Sequence, residues 1–146
     1  MKRIYVNEKW CLGCHLCEYY CAFSHSGSPD MATALKARHI TPRIRIEEGK
    51  DVCYAVSCRH CSEPLCARSC ISGALTAENG IIHVNPDKCV GCYTCVLSCP
   101  YGAIMPSDKG VVQKCDLCAE SSGGQPACVQ HCPNNAIVYE ERGEAR

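Results

Sequence analysis

The stretch Lys88-Cys89-Val90-Gly91-Cys92-Tyr93-Thr94-Cys95-Val96-Leu97-Ser98-Cys99-Pro100 decides the reading of this chain. Its C-x2-C-x2-C-x3-C-P spacing is a run that supplies three thiolates to one [4Fe–4S] cluster and sends the fourth to another. Working outward, three further groups of four appear. They are Cys11-x2-Cys14-x2-Cys17-x3-Cys21, Cys58-x2-Cys61-x4-Cys66-x3-Cys70 and Cys115-x2-Cys118-x9-Cys128-x3-Cys132, the last followed by Pro133. The four groups use sixteen of the 17 cysteines in the 146 residues. Sixteen thiolates are enough for four cubane clusters, with Cys53 left over.

The competing uses of cysteine fare worse. Disulfides belong to oxidising compartments, and Met1-Lys2-Arg3-Ile4-Tyr5-Val6-Asn7 has no apolar signal region. A cytoplasmic, reducing setting, as in anaerobic metabolism, is expected. Structural zinc in all-cysteine sites, as in a zinc-stabilised interaction module, suits isolated C-x2-C pairs better than C-x2-C-x2-C triplets. No apolar run is long enough to cross a bilayer, so direct membrane insertion is not expected. The chain has one Trp and one Phe, so clusters should replace much of a conventional core and couple folding to metal. The formal charge is zero with thiols neutral. Sixteen thiolates at about −16 and four oxidised cores at about +8 bring the loaded chain to roughly −8, against any nucleic-acid partner.

Short apolar segments punctuate the groups. Ala74-Leu75-Thr76 and Ile81-Ile82-His83-Val84 flank Asn79-Gly80, a strong hairpin signal. Ala103-Ile104-Met105 and Val111-Val112 flank Ser107-Asp108-Lys109-Gly110. Ile4-Tyr5-Val6 precedes the first group and Ala136-Ile137-Val138-Tyr139 follows the last. Residues between the third and fourth Cys of each group should begin a short helix. Between Ala22 and Lys50 the repeat breaks. Ser26-Gly27-Ser28-Pro29-Asp30 reads as a loop, a helix is expected over Met31–Arg38, and Ile44-Arg45-Ile46-Glu47 alternates like a half-exposed strand. The tail Glu141–Arg146 reads as frayed.

With Cys11-Leu12-Gly13-Cys14, Ser57-Cys58-Arg59-His60-Cys61, Cys89-Val90-Gly91-Cys92 and Lys114-Cys115-Asp116-Leu117-Cys118 in place, the chain resembles the four-cluster ferredoxin-like electron-transfer subunits. These accompany molybdenum or tungsten pterin oxidoreductases, formate dehydrogenases, hydrogenases and carbon monoxide dehydrogenases. The resemblance implies an α+β fold of nested ferredoxin-like units with short β-hairpins and short helices around four iron–sulfur clusters. Residues 1–51 with 113–146 would form an outer two-cluster unit and residues 52–112 an inner one. It also implies crossed ligation. Cys11, Cys14 and Cys17 would take Cys132, while Cys115, Cys118 and Cys128 would take Cys21. Cys58, Cys61 and Cys66 would take Cys99, and Cys89, Cys92 and Cys95 would take Cys70. The first and second groups depart from the pattern in ending Cys21-Ala22 and Cys70-Ile71, without proline.

The implied function is non-catalytic. Single electrons pass through four [4Fe–4S] clusters between a catalytic oxidoreductase subunit, of tungsten or molybdenum pterin type, and a downstream acceptor. That acceptor is a flavin subunit, a soluble carrier or further copies of this chain. A freestanding soluble polyferredoxin and a subunit of carbon monoxide dehydrogenase or hydrogenase are the alternatives. Every group has four cysteines, so no iron is left open to substrate.

Cys53 reads as a small buried hydrophobe in a Val52–Val56 strand rather than a ligand or redox thiol. His15, His60 and His131 flank cysteines and read as loop packing rather than as hydrogen-bond partners of the ligands. Lys88 and Lys114 each precede the first Cys of a group. A cation there raises a cluster's potential, and a solvated surface lysine is an equal reading. Arg38, Arg43 and Arg45 read as a solvated face before a docking one. Trp10 and Tyr93, beside ligand positions, read as shields against water.

Overall fold

The computed structural model describes residues 1–37, 41–119 and 124–142. The chain divides into two compact units, Met1–Val56 with Leu117–Arg146, and Ser57–Asp116. No described helix is long and apolar enough to cross a membrane.

In the first unit, β1 (Arg3–Val6) pairs antiparallel with β8 (Ile137–Glu140), matching Ile4 to Tyr139 and Val6 to Ile137. The two chain ends meet here because each offers a short apolar strand that cannot be stable alone. Ile4 and Ile137 are buried on one side of the ribbon. A second ribbon joins β2 (Arg45–Glu48) to β3 (Cys53–Val56), with Glu48 opposite Cys53. That pairing places Cys53–Val56 in this unit, whereas the sequence division began the inner unit at residue 52.

Helix α1 (Leu16–Ser24) carries Cys17 and Cys21 one turn apart on its buried face and packs against α5 (Ala127–Gln130). Tyr20 of α1 stacks on His131, ring centroids 3.5 Å apart, so His131 is a packing residue. Helix α2 covers Met31–Ala37. Asp30 starts it, its carboxylate accepting from the Thr33 backbone N–H at 2.9 Å and the Thr33 hydroxyl at 2.7 Å, a reason for a helix to begin there. Arg38 and residues 143–146 of the tail lie outside the described residues.

The second unit is two β-hairpins and two helical turns. Strands β4 (Leu75–Glu78) and β5 (Ile81–Val84) pair with Glu78 opposite Ile81. Only Asn79 and Gly80 remain between them, at φ 51° and 77°, which suits a two-residue primed turn. The other hairpin is shorter than its sequence suggests. It pairs only β6 (Met105–Pro106) with β7 (Val112–Gln113), while Ala103 and Ile104 are buried ahead of it. Pro106 has no N–H to extend the ladder. Helices α3 (Leu65–Arg68) and α4 (Thr94–Ser98) pack together. Leu75, Ile82, Ile104 and Val112 form the core with Cys95, and Cys66, Cys70, Cys89 and Cys99 pack against it. Ligand-type cysteines thus serve as core residues where large apolar side chains are scarce.

Candidate metal centres

A common backbone device presents the cysteines. In each group the residue before the second Cys has positive φ: Gly13 at 63°, His60 at 45°, Gly91 at 67° and Leu117 at 61°. This left-handed step curls the C-x2-C loop tightly between its two cysteines. Glycine takes the step without strain, whereas His60 and Leu117 carry a cost of about 1–2 kcal/mol each. The residue after the second Cys repeats the step at His15 and Tyr93, and short helices follow. Those helices begin one residue before the third Cys, at Leu16 and Thr94, rather than between the third and fourth as the spacing suggests, and so carry the third Cys themselves.

Cys11, Cys14, Cys17 and Cys132 line one recess, partly open to solvent. Ile46 and Ile137 supply apolar walls, and Trp10, Leu12 and Pro133 line it too while remaining exposed. Burial pushes the Cys17 thiol up to about 12, helped by the charge of Glu18 and by neighbouring Cys14 and Cys11. Glu18 is held in place, accepting the Ile46 N–H at 2.6 Å and bonding His15 at 2.7 Å. His15 also meets Glu48 at 3.0 Å, and hydrogen bonds to these two carboxylates raise its pKa. It therefore ties α1 to β2.

In the second unit, two sets of four converge. The thiol of Cys58 is raised by burial, with Lys114 acting against this and Cys61 and Cys99 adding to it. Cys66 is raised by burial and by Cys58 and Cys99. Backbone N–H groups of His60 and Ala103 donate to the sulfurs of Cys58 and Cys99 at 3.4 Å each. In the other set, burial raises Cys95, and Cys70 and Cys89 act on it. Cys92 is lowered, chiefly by the Thr94 hydroxyl, which donates at 3.5 Å. Burial pushes Cys70 up, but the Leu75 and Ala74 N–H groups and Ser72 outweigh it, leaving the thiol low.

Cys21, Cys118 and Cys128 are buried in the first unit, and the Arg43 N–H donates to the Cys21 sulfur at 3.3 Å. Cys115 is buried and falls within the second unit. The structure separates Cys53 from the four-cysteine recess lining. It is half-buried on β3, rather than fully buried as expected. Its sulfur lies 2.9 Å from where a side chain on Gly13 would begin, so it packs behind the first loop.

Two lysines that look alike in sequence differ. Lys88 is exposed. Lys114 is 2% exposed, so the solvated reading fails for it. The sulfur-directed hydroxyls of Ser72 and Thr94 escaped the sequence reading, and their shared position two residues after a cysteine was the available signal.

These residues fit an iron–sulfur cubane. Four-sulfur donor sets, apolar walls and N–H groups aimed at sulfur supply what anionic ligands under a cluster need. A metal must displace the protons that burial holds on Cys17, Cys58, Cys66 and Cys95, which couples folding to loading.

Comparisons with known proteins agree. Residues 51–142 match the family described as "4Fe-4S dicluster domain". The chain is 35% identical over 157 residues to the electron transport protein HydN of Escherichia coli (strain K12), covering 97% of this chain and 89% of HydN. It is 41% identical over 142 residues to AegA of the same strain, covering 92% of this chain but only 21% of AegA. The chain thus spans about a fifth of that relative's length. Among solved structures, the fold is similar to a chain of the active site complex BamBC of benzoyl coenzyme A reductase as isolated, with TM-score 0.53 and 22% identity. All of this chain and 81% of that one are covered.

Proposed function

The chain belongs to the 4Fe–4S dicluster domain family and is a non-catalytic iron–sulfur electron-transfer protein; we propose that it relays single electrons through four clusters between a catalytic oxidoreductase subunit and a downstream acceptor. When bound, each [4Fe–4S] cluster takes up and releases one electron, with no substrate bond made or broken. The observation that carries this reading is the convergence of cysteines from separate groups in both units, Cys132 with Cys11, Cys14 and Cys17 in one and Cys99 with Cys58, Cys61 and Cys66 in the other.

The ligand sets follow the crossed pattern. Cys11, Cys14 and Cys17 hold a cluster with Cys132, and Cys58, Cys61 and Cys66 hold one with Cys99. Cys89, Cys92 and Cys95 hold one with Cys70. The set of Cys115, Cys118 and Cys128 with Cys21 rests on the family pattern alone. An outer unit, residues 1–51 with 113–146, and an inner one, residues 52–112, would carry two sets of first ligands each. The chain's own residues hold and shield: Ile46 and Ile137 exclude water, and backbone N–H groups stabilise the thiolates.

The partner is a catalytic subunit of tungsten or molybdenum pterin type, and the acceptor a flavin subunit, a soluble carrier or another copy of this chain, all in the cytoplasm. HydN's name, an electron transport protein, supports this class of role. Anaerobic purification of the native complex with metal analysis tests it. About sixteen iron and sixteen sulfide per chain are expected, with tungsten or molybdenum in a co-purifying subunit. Nickel there would point to hydrogenase or carbon monoxide dehydrogenase, and a monomer without partner to a freestanding polyferredoxin. A colourless chain with stoichiometric zinc would end the electron-transfer reading.

A further inference from the structure

Lys114 is a buried lysine whose charge reaches cysteines that it does not neighbour in sequence. At 2% exposure it is among the least accessible polar residues of its unit, a position lysine almost never takes without a partner. Its Nζ donates to the carbonyl oxygens of Ile82 at 2.5 Å and Cys115 at 2.6 Å. Both acceptors are neutral, so these hydrogen bonds satisfy the ammonium without balancing its charge. That charge acts on Cys58 and Cys66.

The arrangement is braced. His60, 1% exposed, accepts the Ile82 N–H on its Nδ1 at 3.0 Å, while Lys114 binds the Ile82 carbonyl. Both backbone groups of one core strand residue are therefore held by buried polar side chains. His60 also sits between Cys58 and Cys61, and its own N–H donates to the Cys58 sulfur at 3.4 Å. A lysine fixed in this way cannot swing out to solvent without breaking bonds to β5.

We infer that Lys114 raises the reduction potential of the cluster held by Cys58, Cys61, Cys66 and Cys99, which makes it a tuning residue of the relay. The inference rests on the ligand set proposed above. Four thiolates on an oxidised core carry about −2, and one added electron makes this about −3. Burial opposes that extra charge, because low-dielectric surroundings penalise the more highly charged state. A fixed cation nearby favours the reduced state over the oxidised one and offsets the penalty. The other set of this unit, Cys70, Cys89, Cys92 and Cys95, has hydroxyl donors from Ser72 and Thr94 in place of a buried cation. Lys88, which precedes Cys89 as Lys114 precedes Cys115, is exposed and screened.

The test is an EPR-monitored redox titration of the full chain loaded with its clusters, comparing the wild type with Lys114→Gln, Lys114→Arg and Lys88→Gln. Cys61→Ser and Cys99→Ser identify the signal to follow. Lys114→Gln keeps a donor for the Ile82 carbonyl and loses the charge. It should weaken reduction of that one cluster on the order of tenfold, a shift of roughly 59 mV to lower potential for one electron. Lys114→Arg should stay near the wild-type midpoint, and Lys88→Gln should move nothing. An unchanged midpoint in Lys114→Gln, or a shift confined to another cluster, overturns the inference and leaves the ligand set standing. If Cys61→Ser and Cys99→Ser disturb different signals, the ligand set falls and the inference with it. Should Lys114→Gln lose the cluster altogether, Lys114→Arg decides. Retention at the wild-type midpoint upholds the role of the charge, and loss of the same cluster overturns it.

Discussion

Gly91→Ala should damage the centre that Cys89 and Cys92 help to form, by an amount that can be worked out. Gly91 has φ 67°, where an L-residue costs about 1–2 kcal/mol. A side-chain carbon there would also press into the carbonyl oxygen of Gly110. That oxygen is backbone, held in a turn by the Gly110 N–H to Ser107 at 3.0 Å and the Ser107 N–H to Val111 at 2.8 Å, so it cannot rotate aside. Forcing extra volume into a packed site adds about 1–3 kcal/mol. The sum is about 2–5 kcal/mol. Gly73→Ala is the control, because Gly73 has φ 64° but nothing within 4 Å of the added carbon. It should cost only the backbone part. Unfolding of a cluster-bearing chain is not a two-state equilibrium, so the rate of cluster bleaching in denaturant is the better measure. With the strain relieved on opening, Gly73→Ala should bleach about 5–30 times faster than wild type. Gly91→Ala should exceed that by at least a further factor of about 5, and lose about four of sixteen irons. Equal rates in the two variants would refute the claim that the Gly110 carbonyl constrains the loop.

Other outcomes follow from the same geometry. Cys132→Ser should disturb the cluster at Cys11, Cys14 and Cys17, visible as the same EPR signal lost in Cys14→Ser; a signal shared with Cys118→Ser would break the crossed pattern. Cys53→Ala should keep the full iron content, since Cys53 packs behind Gly13 outside the recess lining, and loss of one cluster would make it a ligand. Loading should depend on pH in a site-specific way. The Cys17 thiol, at about 12, keeps its proton across pH 7 to 9, so its ligation releases a proton throughout and strengthens as pH rises. Cys70 and Cys92 are lowered while Cys95 beside them is raised by burial, so loading of their set should gain less from rising pH than loading at Cys17. Iron uptake followed by EPR across that range checks the order, and a reversed order would contradict the assigned environments.

Chemistry was legible in the sequence because thiolate ligation depends on local spacing. Cys89, Cys92 and Cys95 sit within seven residues, and no distant contact is needed to recognise a cubane loop. Hairpins were legible for a similar reason: Asn79-Gly80 supplies the left-handed φ values that its turn requires. Legibility failed where a residue's role depends on what packs over it. The shortened β6–β7 hairpin was overestimated because Ala103 and Ile104 look like strand but are used as core. The β2–β3 pairing was not foreseen, since neither Ile44–Glu47 nor Val52–Val56 names its partner.

By itself, then, the sequence determined the donor atoms, their grouping in fours and the strands that could close a ribbon. All of these are set by covalent spacing along a few residues. Tertiary structure alone decided which cysteines of distant groups share a recess, as Cys132 does with Cys11, because that requires the chain's ends to pair as β1 and β8. It also decided the difference between Lys88 and Lys114. Both precede the first cysteine of a group, yet one lies in water, where charge is screened. The other is enclosed beneath β5, where the same charge acts on Cys58 across a low-dielectric interior.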